Sequence, residues 1–173
     1  MRRAITKKVW NRREQMRKEF FDAIREVKNH PVTQQMKEYP HHCDTSCYQH
    51  CLNVAYYNYH ICRLLGRDYL AAARAGMLHD LFLYDWHTHA KETGDHVHGM
   101  THPKAALAVA EKYFDLTDKE RDIILKHMWP LTVVPPKSFE AFLITLTDKY
   151  CGACEIVDYA YTKWILGRRK PSS

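Results

Sequence analysis

Four histidines and two aspartates in this chain are spaced so that a fold could gather them in one place. His50 is followed after 28 residues by His79-Asp80, after a further 21 by His102, after 24 by His127 and after 20 by Asp148. The intervals are similar, and each group can sit on a helix of its own. Imidazole nitrogens mixed with carboxylate oxygens suit a first-row transition metal better than calcium or magnesium. The chemistry to expect is that of a metal centre inside a helical protein.

The neighbours of these residues support an inward orientation. His50 shares a helical face with Val54, Ile61 and Leu65, His127 shares one with Ile123 and Ile124, and Asp148 has Ile144 and Thr145 on its inward side. A lone histidine in such a place is ordinarily a hydrogen-bonded core residue. A buried, ionised aspartate without a partner is costly. Several such groups converging shift the balance, because one metal cluster would satisfy them all. His79 and Asp80 are adjacent, hence about 100° apart around a helix. Both reach one centre only near a helix end, and a loop beginning at Leu81 or Phe82 supplies that end.

The elements that must position these groups read as helices, and no strand alternation is visible, so the predicted fold class is all-α. A first helix spans about Thr6 to Asn29 and stops near Pro31. Its stripe of Ile5, Val9, Met16, Phe20, Ile24 and Val27 would dock on the body. Ser46-Cys-Tyr-Gln49 fits a capping box for a helix that runs to about Gly66. Asp68 caps an Ala-rich helix leading to His79-Asp80, whose small residues let neighbours approach closely. Residues 82–101 form a loop carrying His87, His89, His96 and His98, read as a lid or a solvated segment. His102-Pro103 then opens a helix, with proline where its missing N–H costs least. Thr117-Asp-Lys-Glu120 is a second capping box for a helix to about Met128. Ser138 caps the last long helix, which reaches toward Gly167. The expectation is one domain over residues 1–173, with a motif core at about 45–155 and a basic helix in residues 1–30 docked on it.

Composition excludes several classes. No run of eighteen apolar residues exists, so no membrane span is expected. The basic N-terminus lacks an apolar signal core, which points to a cytoplasmic location. Residues 1–18 hold eight Lys/Arg against one Glu, and the remainder is nearly neutral, with 18 basic and 19 acidic groups. Such a patch could attract nucleic acid; a solvated helix face is the preferred reading. Cys43, Cys47 and Cys51 lie four apart and Cys151-Gly-Ala-Cys154 is a C-x-x-C. A zinc site wants paired knuckles and a redox motif wants a βαβ unit. Neither is present, so reduced structural thiols are expected.

At this point the sequence resembles the HD-domain superfamily of metal-dependent phosphohydrolases. The family pattern H…HD…D is matched by His50, His79, Asp80 and Asp148. The surrounding segments Tyr48-Gln-His-Cys-Leu-Asn-Val-Ala55, Ala75-Gly-Met-Leu-His-Asp80 and Thr147-Asp-Lys-Tyr150 look like the family's own. The resemblance implies an HD helical bundle. The additional His102 and His127 resemble the six-ligand members that hold two metals. By that resemblance His50, His79 and Asp148 would take one ion, His102 and His127 the other, and Asp80 would bridge and be central to catalysis. The implied cofactors are one or two divalent transition-metal ions, from among Fe, Mn, Co, Ni and Zn.

The implied activity is hydrolysis of phosphate monoesters or diesters by an activated hydroxide. The substrate would be small and phosphorylated, a nucleotide among the candidates, and membranes and nucleic acid are not expected partners. The chain lacks the lysine after HD and the GYP signature of the cyclic-dinucleotide branch, and the acidic pair of the guanosine-tetraphosphate hydrolases is not evident. Asp85 could act as general acid toward the leaving oxygen or hold its loop by a hydrogen bond. Lys104 and Lys149 lie one or two residues from ligand positions and could meet substrate phosphate or face solvent. Trp86 and Trp129 could stack on a base or simply pack. Two alternatives remain beside the hydrolase: a diiron oxygenase of the same superfamily, and a nucleic-acid-binding module using Arg2, Arg3, Lys7 and Lys8.

Overall fold

Side chains that cap helices punctuate this chain at nearly every turn, and the computed structural model follows them. It describes the backbone of residues 2–85 and 98–168 and the side chains of residues 10–85 and 99–165. The described elements are α1 (Arg2–Ala23), α2 (Arg25–Asn29), α3 (Pro31–Gln35), a 3-10 turn (Met36–Glu38), α4 (Cys47–Leu64), α5 (Tyr69–Leu78), α6 (His98–Tyr113), α7 (Asp118–Lys126) and α8 (Phe139–Arg168). The fold is all-α; among the described residues the sole β feature is an isolated bridge between Pro40 and Ser46. No helix among the described residues is long and apolar enough to cross a membrane.

The capping residues explain where the helices begin. Asp68 Oδ1 accepts from the Ala71 N–H (3.1 Å) and Ser138 Oγ from that of Ala141 (3.1 Å). Thr117 and Glu120 form a complete capping box at the start of α7. At α4 the box is half formed: Ser46 Oγ accepts from the Gln49 N–H, but the Gln49 carboxamide donates to Asn53 Oδ1 instead (2.8 Å). Gly66, at φ +62°, supplies the left-handed residue that turns the chain after α4.

Two boundaries differ from the sequence reading. The N-terminal helix breaks at Ile24, and Pro31 opens α3 as its first residue, with His30 Nδ1 accepting from the Val32 N–H. The helix carrying His102 begins at His98, so Pro103 lies inside it. That placement forfeits a single hydrogen bond, the one to the Gly99 carbonyl, near the helix start where the loss is smallest.

Helix α5 is central, with α4, α6, α7 and α8 all packed on it. Its small residues make this possible: a Cβ on Gly76 would lie 2.9 Å from Ala55 Cα of α4. Phe20, Ile24 and Val27 are buried in the same core as Val54, Met77, Leu78, Ile123, Ile124 and Ile144. The N-terminal segments therefore dock through the latter part of the expected stripe, each such side chain contributing about 1.5–3 kcal/mol. The side chains of Ile5 and Val9 lie outside the described residues. All six cysteines are free.

Candidate metal centre

Helix ends build this site. His79 is the residue that ends α5, and its Nδ1 donates to the Gly76 carbonyl three residues back (2.9 Å). His127 ends α7 in the same way, with Nδ1 donating to the Ile124 carbonyl (2.8 Å). A carbonyl only accepts, so in each neutral ring Nδ1 carries the proton and Nε2 presents its lone pair to the interior. That is the orientation and tautomer of a histidine metal ligand.

The remaining donors converge on these two. His50 of α4 and Asp148 of α8 meet at 3.0 Å through Nε2 and Oδ1, and His79 Nε2 lies 3.7 Å from the same Asp148 oxygen. Asp80 faces both ways. Its Oδ2 lies 3.3 Å from His79 Nε2, while its Oδ1 lies 3.2 Å from His102 Nε2 and 3.3 Å from His127 Nε2. His102 Nε2 and His127 Nε2 are 2.7 Å apart. All six groups are described, and five of them are almost wholly buried, with Asp148 close behind. They form two donor sets that share Asp80, one of His50, His79, Asp80 and Asp148 and one of Asp80, His102 and His127.

The chemistry of the set fits a divalent metal. His79 Nε2 and Asp80 Oδ1 are buried and make no hydrogen bond, an expensive arrangement unless something else satisfies them. Electrostatics point the same way. Burial alone would raise the Asp80 carboxyl, but the His79 charge and the imidazoles of His102 and His127 beside its Oδ1 outweigh it and hold it well below the usual carboxylate range. Burial likewise opposes the shift at Asp148, yet His50 and His79 hold that carboxyl well down. The His79 ring, which burial would lower, is held well above its ordinary value, above all by Asp80. Imidazole protons here supply the positive charge that a bound cation would supply in their place.

Three further residues join the first donor set. Glu155, two turns after Asp148 on α8, accepts from His50 Nδ1 (3.0 Å) and is itself held by Asn53 Nδ2 (3.2 Å). Burial would lower the His50 ring, but the hydrogen bonds to Asp148 and Glu155 prevail and raise it to about 8. His41 Nε2 lies 2.9 Å from Asp80 Oδ2, and its ring stacks on His50 with centroids 3.9 Å apart. Burial, with the neighbouring His50 charge, pushes the His41 ring down to about 4. His42 sits edge-on to both His41 and His50.

Residues 39–46 form a tight strap that delivers the last two. His41 N–H donates to the Thr45 carbonyl, Thr45 N–H to that of His42 and Cys47 N–H to that of Tyr39, all at 2.9 Å. Cys43 turns the strap at φ +55°, a left-handed conformation that costs a non-glycine residue. Gly152 of α8 makes room for it, since a Cβ there would meet His42 Nε2 at 3.0 Å. The sequence reading passed over all three. Glu155 had a signal, its seven-residue spacing from Asp148 on one helical face. His41 and His42 had none beyond residue type, because a strap has no period.

A cleft of about 760 Å³ opens onto the centre, and Asp80, His102, Asp148, His41, His42 and Lys149 are among the residues lining it. Lys149 Nζ donates to the Thr145 carbonyl (3.1 Å). Lys104 and Lys149 are both exposed and Asp85 is half-buried; Lys104 and Asp85 are not among the described residues lining the cleft. Trp129 packs on Phe142, with ring centroids 6.0 Å apart, and also stands outside that lining. Trp86, His87, His89 and His96, and the side chain of His98, lie outside the described residues.

Comparison with protein families matches residues 47–153, more than half of the chain, to the HD domain. The chain belongs to the HD-domain family, a superfamily of metal-dependent hydrolases, and its buried His and Asp groups are of the kind that binds divalent metal. No curated protein and no solved structure matches it. The matched span contains all six converging groups and leaves His41, His42 and Glu155 outside.

Proposed function

We propose that this chain is a metal-dependent phosphohydrolase acting on phosphate monoesters or diesters of a small molecule, with two divalent transition-metal ions. His50, His79 and Asp148 would hold one ion, His102 and His127 the other, and Asp80 would bridge them. The observation that carries this reading is Asp80 itself, whose two oxygens turn toward different histidine sets. Bound there, such ions supply Lewis acidity toward phosphoryl oxygens and lower the pKa of water to near neutrality.

The chain's own residues divide the remaining work. Glu155 fixes the His50 ring through Nδ1, leaving Nε2 directed at the centre. Lys149 lines the cleft beside Asp148 and takes the role of meeting an anionic substrate oxygen. Lys104, turned to solvent, and Asp85, away from the lining, are left out of this assignment.

Metal quantification on the purified chain tests the reading, followed by a phosphatase and phosphodiesterase panel with manganese, iron, cobalt and nickel. Phosphate release that depends on the metal and disappears in Asp80→Ala is the expected result. Undiminished phosphatase activity in that variant would sink the proposal. A second reading, oxygen activation at two irons, is favoured by one feature: an imidazole-rich pair of donor sets sharing a carboxylate suits iron equally well. Oxygen uptake tied to a substrate, with no phosphate release, would decide for it.

A further inference from the structure

We infer that the substrate joins a phosphoryl group to an apolar body, as an alkyl or aryl phosphate does. This rests on the phosphohydrolase reading of the same centre. The cleft has two ends of opposite character. The buried end holds the metal-binding groups with His41, His42 and the Phe82 ring packed on His102, and Lys149 stands exposed beside Asp148. The outer end is walled by Met100 from α6, Met128 and Leu131 from the segment after α7, and Ile156 from α8. Along α8 the lining residues Asp148, Gly152 and Ile156 follow at four-residue spacing, so one helical face leads from the centre to the apolar mouth over about 12 Å.

Packing of the fold does not account for this apolar wall. Met100, Leu131 and Ile156 remain 45%, 53% and 49% exposed, outside the hydrophobic core. Contiguous exposed apolar surface rimming a concave site marks a binding surface. Its size, about 760 Å³ with the centre included, suits a small molecule.

Beyond the buried end, the polar groups among the described lining residues are few. Lys149 is the one Lys or Arg among the described lining residues, placed beside the metal-binding groups where it can meet a phosphoryl oxygen. No Ser, Thr, Asn, Gln, Tyr, Trp or Arg side chain appears among them. Those are groups that commonly read the edges of a base or the hydroxyls of a ribose, so the described lining offers more to an apolar body than to a nucleoside. Trp129, one of the two tryptophans read as able to stack on a base, packs on Phe142, and Trp86 lies outside the described residues.

The test uses the full chain loaded with manganese and two parallel series. Hydrolysis is followed for ethyl, butyl, hexyl and octyl phosphate beside adenosine mono- and triphosphate. Binding is followed by calorimetry for the matching alkylphosphonates, whose P–C bond does not hydrolyse. Both kcat/KM and affinity should climb with chain length, by up to roughly fourfold per methylene. Ile156→Ser and Leu131→Ser should flatten that climb. A flat series, or adenosine monophosphate turned over better than hexyl phosphate, overturns the proposal. Rising phosphonate affinity with no hydrolysis of any ester would remove the phosphohydrolase reading and keep the apolar-bodied ligand. Hydrolysis at equal efficiency along the whole ester series would do the reverse.

Discussion

The two donor sets that share Asp80 are held by different means. On the His50 side, groups far apart in sequence are tied by side chains: His50 is engaged at both ring nitrogens, by Asp148 and Glu155, and His41 lies against Asp80 from the strap. On the His127 side, the ring is set by the main chain, through the Ile124 carbonyl at the end of α7; in the first set only His79 is held that way, by the Gly76 carbonyl, and the side-chain network is added to it. Helix-end geometry follows wherever α7 packs, whereas a network of carboxylates and imidazoles changes with each member. The lesson is that residues outside the six groups should govern the first proposed centre and leave the second almost untouched.

Removing what the two sets share should have the largest effect. Asp80→Ala deletes the one carboxylate that faces both, and bound metal should fall to background at both centres together with phosphate release, as read by elemental analysis and a phosphate assay. Should that variant keep one full equivalent of metal, the bridging role fails. A smaller and separable effect is expected from the imidazoles. His50→Ala should remove the first ion and His127→Ala the second, each leaving the other titratable by calorimetry. Equal loss of both ions in both variants would mean that the sets are one cooperative unit and that their contrast has no energetic content. The wild-type chain should also lose thermal stability when stripped by chelator, since an ion present at a hundred times its Kd stabilises by about 2.7 kcal/mol.

Much of this centre could be read in the sequence, for identifiable reasons. His79 and His127 were readable because a polar residue at the end of an apolar helical stretch has few other uses, and the capping residues marked those helices. Residues adjacent to the donors were harder. Lys104 and Lys149 each sit near a ligand position, but a step of one residue rotates a side chain by about 100°. Spacing alone does not tell that Lys149 borders the cleft while Lys104, likewise exposed, is not among its described lining residues. Pro103 misplaced a boundary, because a proline is expected in the first turn and stands later here. The strap was illegible: His41 reaches Asp80 across 39 positions through a turn that no periodicity announces.

Glu155→Gln probes the first set without touching a donor. The amide keeps an acceptor for the His50 Nδ1–H and removes the charge, so its effect isolates the electrostatic part of the support. Groups that orient a metal-bound histidine typically account for 10–100-fold in affinity. A loss in that range at the first centre is expected, with the second unchanged in the same titration. An equal loss at both centres would erase the distinction drawn between them.

His41 should give the smallest of these effects and the finest test. Its Nε2 is placed to donate to Asp80 Oδ2, the oxygen that also faces His79. His41→Ala therefore loosens a bridging group without deleting it, and about a tenfold weakening at the first centre is expected, near the lower end for such support. His41→Gln retains a side-chain N–H donor and should recover part of that loss. Competition against a chelator with a coloured metal complex would read both variants at each centre. Recovery by glutamine at the first centre alone ties His41 to Asp80 Oδ2. Equal weakening by alanine and glutamine, with unchanged melting temperature, would mean that the imidazole is needed for its stacking on His50 and not for its hydrogen bond.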